Sequence, residues 1–265
     1  MMSLAVFVGA WLTLTGPPSP DILHKILLGA VTAFTLSGAS MVINDYCDYE
    51  IDKINEPSRP LPSGTIKLEE SLTLAAALAF IGLAAALFTS LPTALLAFIS
   101  LIVSVTYAVK GKRTGLPGNF LVSFCVAVPF VYGSLIAGNR LDPKVLFFSL
   151  LAFLSNTGRE VTKGIVDVSG DKSQNMKTIA VVYGERSAAY VASVFYLAAV
   201  LLSLAPPLMK MVSTLFIPFV AVADVGFIFS SAMLIRKPTR RNARKIKNLV
   251  LMWMMLGMLA FLAGK

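Results

Sequence analysis

Nine mostly apolar stretches, each near the length of a membrane crossing, take up most of the chain. They lie near residues 1–15, 23–44, 70–90, 92–110, 116–138, 144–164, 187–206, 211–235 and 246–264. A helix needs about 20 apolar residues to cross the hydrocarbon core, and helices satisfy their own backbone there. The expected fold is all-α: a polytopic membrane helix bundle with nine transmembrane helices. Composition excludes a soluble globule, since 56 % of the 265 residues are hydrophobic and only 14 % are charged, against about 25 % charged in soluble domains. Two cysteines exclude a disulfide scaffold. Pro17-Pro18, Pro92, Pro143 and Pro206-Pro207 fall between stretches, where a missing N–H does no harm. The chain opens with Met1-Met2 almost inside the first stretch, so either that helix is short or upstream sequence is missing. No basic n-region or small-residue cleavage site marks a signal peptide.

Charge placement sets the orientation. Of the 23 Lys and Arg, all but Lys25, Arg140, Lys144, Lys210 and Lys265 fall in the connections after the second, fourth, sixth and eighth stretches. Basic connections stay in the cytoplasm. Of the 14 acids, only Asp21, Asp142 and Asp224 fall outside the first and third of these connections. Acids gathered with bases on one face of a bundle mark a working site. The net charge of +9 implies no nucleic acid partner: membrane orientation, anionic lipid head groups and a phosphorylated substrate account for it.

The first acidic segment reads NDYCDYEIDKINEPSRPLPSG, from Asn44 to Gly64. If the second helix continues to about Asp52, then Asn44, Asp48 and Asp52 share one face at four-residue steps, with Asp45 beside them. Bare carboxylates on one stripe repel each other, and at a helix C-terminus they also oppose the macrodipole. A bound cation relieves both. Oxygen donors without His or Cys select Mg²⁺ or Mn²⁺ over zinc, and Mg²⁺ held by few carboxylates shares its shell with substrate phosphates. Pro57, Pro60 and Pro62 break the helix, and Gly64 ends the loop. Arg59, fixed in that stiff loop, suits a pair of diphosphate oxygens; its alternative is a salt bridge to Glu56 or Asp52. Cys47 has no second thiol nearby and is read as packing.

The second segment reads REVTKGIVDVSGDKSQNMK, from Arg159 to Lys177. Asp167 and Asp171 are four apart, and Arg159 and Lys163 extend the stripe backwards in the same steps. Lys172 adds a further base. Asp48 and Asp52 fall 119 residues before Asp167 and Asp171, an offset that covers four stretches, so both stripes emerge on one face. The pattern is that of a parallel internal repeat. Two acidic pairs facing one cavity would hold Mg²⁺ ions with a diphosphate between them.

These residues carry a family resemblance. NDxxDxxxD (Asn44, Asp45, Asp48, Asp52), then RPxPSG and a later DxxxD pair, resembles the UbiA superfamily of intramembrane prenyltransferases over nearly the whole chain. INEPSRPLPSG and RExxKGIxDVSGD are most similar to its archaeal digeranylgeranylglyceryl phosphate synthase branch. There the position of Gly164 is commonly Asp. An Arg and an Asn before the first span, usual in the family, are absent here. The resemblance implies one domain over residues 1–265, a helical bundle around a central cavity capped on the cytoplasmic side, with Mg²⁺ as cofactor. It implies transfer of a geranylgeranyl group from its diphosphate to the hydroxyl of geranylgeranylglyceryl phosphate in ether-lipid synthesis, at a multi-pass site in the cell membrane. Asn44, Asp45, Asp48, Asp52, Asp167, Asp171 and Tyr107 would be catalytic. Of these, Asp48, Asp52, Asp167 and Asp171 would hold metal, while Arg59, Lys112, Arg159, Lys163 and Lys172 would bind substrate. Tyr107 rests on the resemblance alone and is otherwise an interfacial belt tyrosine; Lys112 and Arg113 are otherwise orientation charges. No obligate protein partner is implied.

A primary allylic diphosphate ionises to a delocalised cation and pyrophosphate. That chemistry needs charge stabilisation on the leaving group and exclusion of water, not a protein nucleophile. The sequence agrees: its single histidine, His24, lies on the other face. Asp224 lies inside the eighth stretch, where it is protonated, bonded to a neighbouring helix, or cavity-lining. The run from Arg236 to Lys247 reads as an orientation and lipid-phosphate segment. An ion-coupled transporter would place acids near mid-membrane, and a CDP-alcohol phosphotransferase would carry DGxxAR, which is absent. Within the prenyltransferases, the open alternative is an aromatic quinone precursor or another acceptor.

Overall fold

The structure, a computed structural model, describes residues 2–138 and 140–265, without the side chains of residues 51, 54 and 55. Among the described residues all regular structure is helical. The order is α1 (Met2–Thr13), α2 (Pro20–Cys47), α3 (Tyr49–Asn55), α4 (Leu68–Leu87), α5 (Leu91–Val109), a 3₁₀ turn (Gly111–Arg113) and α6 (Leu116–Gly138). There follow α7 (Pro143–Val166), α8 (Val168–Ser173), α9 (Ile179–Ser203), α10 (Ala205–Leu208), α11 (Phe216–Arg236) and α12 (Arg240–Ala263). Local signals set the starts. The Ser19 hydroxyl accepts from Ile22 N ahead of Pro20, Ser90 accepts from Thr93 N ahead of Pro92, and Asp142 accepts from Lys144 N ahead of Pro143.

A helix meets each of the nine apolar stretches, but they are not equal. Seven spans are long and apolar enough to cross a membrane: α2, α4, α5, α6, α9 continued through α10, α11 and α12. Helix α1 is apolar but only 12 residues long. Helix α7 has the length, 24 residues, but carries Arg159, Glu160 and Lys163 in its C-terminal third. Three starts differ from the apolar pattern, and of these α11 begins late, at Phe216. Helical structure before α9's main run begins at Ile179, and Gly184 at φ 87° and ψ 161° separates that first turn from the rest. The basic run beyond Pro238 is helical from Arg240, so it forms the first turns of α12.

The chain packs as two compact units, one of residues 1–110 and 128–141, the other of 111–127 and 142–265. In the first, α2 packs chiefly on α4 and also touches α1 and α5. Val6, Ala10, Ile26, Leu36, Ala86, Ala97, Tyr132 and Ile136 form its core. A Cβ at Gly133 would overlap the Val6 carbonyl, so the small residue lets α1 approach the second half of α6 closely. In the second unit, α7 packs on α9 and α12, and α11 on α9 and α12. Its core runs from Val161 and Ile165 through Ala188, Ala192 and Tyr196 to Phe227, Ile246 and Val250. The buried Tyr196 hydroxyl pairs with Thr162 Oγ1 at 2.9 Å, which satisfies both polar groups inside an apolar core.

Large apolar side chains also cover the outside, Phe34, Phe80 and Phe88 among them, each more than 70 % exposed. Water would penalise such a surface, whereas lipid tails do not. The chain is an integral membrane protein. Asp224 on α11 accepts from Ser203 Oγ on α9 at 2.8 Å, so of its three possible roles the structure shows a bond to a neighbouring helix.

Candidate active site

In the first unit the acidic stripe is built by a broken helix. Helix α2 stops at Asp48, whose backbone (φ −95°, ψ 2°) has left the α region, and α3 resumes at Tyr49. The helical ladder still crosses the joint: Asp48 N donates to Asn44 O at 3.0 Å and Asp52 N to Asp48 O at 2.8 Å. Asn44, Asp48 and Asp52 therefore keep their four-residue register. The Asn44 amide donates to Asp48 Oδ2 at 3.0 Å, which orients that carboxylate. Asn44, Asp45 and Asp48 are half-buried, and Asp52 is buried.

The proline loop then folds back over the stripe. Arg59 N donates to Glu56 O, Ser63 N to Arg59 O and Ile66 N to Pro60 O, so the loop is a chain of turns anchored by buried Leu61. It carries Arg59 to the acids: Nη1 lies 2.8 Å from Asp52 Oδ2 and 3.5 Å from Asp45 Oδ1. Burial works against the Arg59 charge, but pairing with Asp52 and Asp45 outweighs it and holds the guanidinium protonated. A cavity of about 180 Å³ is lined by Val42, Asp45, Asp52, Arg59, Leu61 and Ser71, with further loop residues. Of the alternatives for Arg59, the ion pair to Asp52 is the one observed.

The second unit repeats this construction. Helix α7 stops at Asp167 (φ −106°, ψ 11°), and α8 resumes at Val168. Asp167 N donates to Lys163 O at 3.1 Å and Asp171 N to Asp167 O at 2.8 Å. Two aspartates 119 residues apart thus end their helices with the same backbone, and each is followed four residues later by another aspartate. Asp167 is exposed, and Asp171 is half-buried. Met176 N donates to Asp171 O at 2.9 Å, and the Thr178 hydroxyl to Asp171 Oδ2 at 3.1 Å. Burial raises the Asp171 carboxyl above the usual carboxylate range; Thr178 and Lys163 work against that rise, and Asp167 adds to it.

Other expected residues fall as follows. Arg159 and Lys163 do not point down the stripe toward Asp167 but turn to Glu160, at 3.2 and 2.8 Å. Lys172 lies exposed on α8. Tyr107 is half-buried in the last turn of α5, and Lys112 is half-buried in the 3₁₀ turn. That turn is tied to the second acidic loop, since Lys177 N donates to Arg113 O at 3.0 Å. Two residues that spacing did not single out emerge here. Glu160 is a buried acid flanked by bases, visible in REVTK only as an acid beside two cations. Thr178 lies seven residues beyond Asp171 and meets it because the loop returns.

The donors fit a hard divalent cation chemically. They are carboxylate oxygens, and oxygens of Asp45 and Asp52 already converge on one cationic nitrogen. Among the described residues no three His, Cys, Asp or Glu side chains form a complete cage. Mg²⁺ bound through one or two carboxylates plus substrate phosphates needs none.

Comparison with known proteins places these features. The sequence profile of the UbiA prenyltransferase family matches residues 2–257. Digeranylgeranylglyceryl phosphate synthase of Archaeoglobus fulgidus is 36 % identical over 271 residues, covering 100 % of this chain and 90 % of its own. A solved structure of digeranylgeranylglyceryl phosphate synthase in membranes superposes with a TM-score of 0.86 at 31 % identity, covering 99 % of this chain and 92 % of that one. A UbiA homologue from Archaeoglobus fulgidus, solved bound to GPP and Mg²⁺, shares the fold at a TM-score of 0.71 and 17 % identity, over 98 % of this chain and 94 % of that one. Matched along nearly its full length by profile, sequence and fold, the chain belongs to the UbiA prenyltransferase family.

Proposed function

We propose that the chain transfers a geranylgeranyl group from geranylgeranyl diphosphate to the hydroxyl of geranylgeranylglyceryl phosphate, in the synthesis of ether lipids. The observation that carries this reading is the twice-built aspartate helix end, Asp48/Asp52 and Asp167/Asp171, in a chain whose full-length relatives bear that enzyme's name. Asp48, Asp52, Asp167 and Asp171 are the proposed Mg²⁺ ligands. When bound, Mg²⁺ supplies positive charge against the charge that builds on the leaving diphosphate. The chain's own residues do the rest. Asn44 orients Asp48 through its amide. Arg59, Lys112, Arg159, Lys163 and Lys172 offer N–H donors to phosphate oxygens, and Tyr107 is assigned to the diphosphate by family likeness. Apolar helices exclude water from the allylic cation, which water would otherwise capture. The same reading counts all nine apolar helices as membrane crossings of one catalytic domain over residues 1–265, with the acid-bearing ends in the cytoplasm. That placement rests on the Lys and Arg bias.

The test is purified protein in lipid vesicles with labelled geranylgeranyl diphosphate. Geranylgeranylglyceryl phosphate and an aromatic quinone precursor are offered separately, each with and without EDTA. Product is expected with the glycerophosphate acceptor and should be lost in EDTA. Product with the aromatic acceptor alone would overturn the choice of acceptor, and ion-driven solute uptake without product would favour a transporter.

A further inference from the structure

Helix α7 carries a buried acid one to two turns before its aspartate end. Glu160 is only 9 % exposed, and its carboxylate is divided between two cations. Oε1 accepts from Arg159 Nη1 at 3.2 Å, and Oε2 accepts from Lys163 Nζ at 2.8 Å. Much of the donor capacity of both bases is unused by this pairing. A guanidinium has five N–H groups and an ammonium three. Arg159 Nε is buried with no hydrogen-bond partner among the described residues, and the Lys163 side chain is 37 % exposed. The arrangement belongs to this half of the repeat alone. The positions 119 residues earlier hold Ser40, Met41 and Asn44, none of them charged.

A carboxylate taken out of water needs partners, and one cation would neutralise it. The second leaves the trio at net +1, with two different cations held side by side. Without Glu160 two long, rotamer-rich side chains would repel each other and spread apart. We propose that Glu160 is a positioning residue, which sets Arg159 and Lys163 together so that their remaining N–H groups receive a phosphate or diphosphate oxyanion of the substrate. The proposal rests on the functional reading above for the kind of ligand, and on the α7 geometry for the residue.

The charge arithmetic makes the idea testable. Glu160→Gln keeps the volume and one acceptor but turns an NH₂ group toward the second cation. It also makes the patch more positive by one charge. If Glu160 only diluted that charge, the variant would bind anions more tightly; if it positions the bases, the variant binds them more weakly. The full chain in lipid nanodiscs is titrated in EDTA with inorganic pyrophosphate and, separately, glycerol 1-phosphate, and KM and kcat are measured for both substrates with Mg²⁺. We expect binding of one probe to weaken by about tenfold or more, a loss typical when an orienting partner behind a ligand is removed. KM for the matching substrate should rise more than kcat falls, and the probe affected says which phosphate the pair serves. In a Lys163→Met background the Gln substitution should add little. Equal or tighter binding of both probes, additive losses, or a wild type that binds neither probe would overturn the proposal. Should Glu160→Gln fail to fold, Glu160→Asp, which keeps the charge but is too short to reach both cations, is read the same way. A wild type that binds the probes yet makes no product sinks the functional reading and not the role of Glu160.

Discussion

At the scale of single residues, Arg59 is the most informative side chain. Its guanidinium holds the position where oxygens of Asp45 and Asp52 converge. Arg59→Ala leaves the buried Asp52 carboxylate without that partner, at a loss of about 1–3 kcal/mol. Saturating Mg²⁺ should return part of this loss, because a metal can replace the guanidinium at those oxygens. Thermal unfolding of the variant and wild type with Mg²⁺ and with EDTA checks it; a gap unchanged by Mg²⁺ would place the metal elsewhere. Asp48→Ala and Asp171→Ala should each cut turnover by about 100-fold or more, as when a key charge-stabilising group is removed, and near-normal turnover in either would remove it from the site. Gly164→Asp should leave activity in place, since a Cβ there meets nothing nearer than Thr178 Cβ at 3.7 Å. The aspartates were legible because helical spacing reports which residues share a face. Glu160 was not, because spacing says nothing about burial. The same four-residue rule that aligned Arg159 and Lys163 with Asp167 hid their turn toward a nearer acid.

At the scale of elements, two breaks of the same kind carry the two aspartate pairs, one in each unit, and a glycine lies against the return from the second. Gly115, at φ 73°, sits after the 3₁₀ turn, and a Cβ there would overlap the carbonyl of Lys177 in the loop below α8. Gly184 also has positive φ, at 87°, but its Cβ would meet nothing within 4 Å. The two separate backbone strain from steric overlap. Gly184→Ala should cost about 1–3 kcal/mol, the strain of a non-glycine residue in that region. Gly115→Ala should cost more, because it adds displacement of a backbone carbonyl that leads to Thr178 and Asp171. Unfolding midpoints rank the pair, and turnover should fall further in the Gly115 variant; the reverse order would show that the Gly115–Lys177 contact does not matter. Most elements could be read from apolar runs bounded by proline. The first turn of α9 and the basic start of α12 could not: the apolar run Ile179–Tyr183 is far too short for a crossing and is cut off by Gly184, and the start of α12 is charged, yet Ala180, Ala243 and Ile246 pack into the core of the second unit.

At the scale of the whole molecule, the decisive quantity is the number of crossings between the two aspartate ends. Between Asp52 and Asp167 lie α4, α5, α6 and α7, and an even number of crossings returns the chain to the side it left. Three of the four pass as apolar spans. The count therefore turns on α7, whose C-terminal third is charged. If α7 crosses, both stripes face the cytoplasm, as the Lys and Arg bias requires; if it lies along the surface, they face opposite sides. Single cysteines in a variant lacking Cys47 and Cys125 decide between these. Glu50→Cys and Ser169→Cys, at exposed positions beside the two stripes, should both react with an impermeant maleimide from the cytoplasmic side. Gly16→Cys, in open space between α1 and α2, should react only from the other side. Labelling of positions 50 and 169 from opposite faces would mean that no single diphosphate meets both aspartate pairs, and the proposed assignment of Asp167 and Asp171 would fail with it.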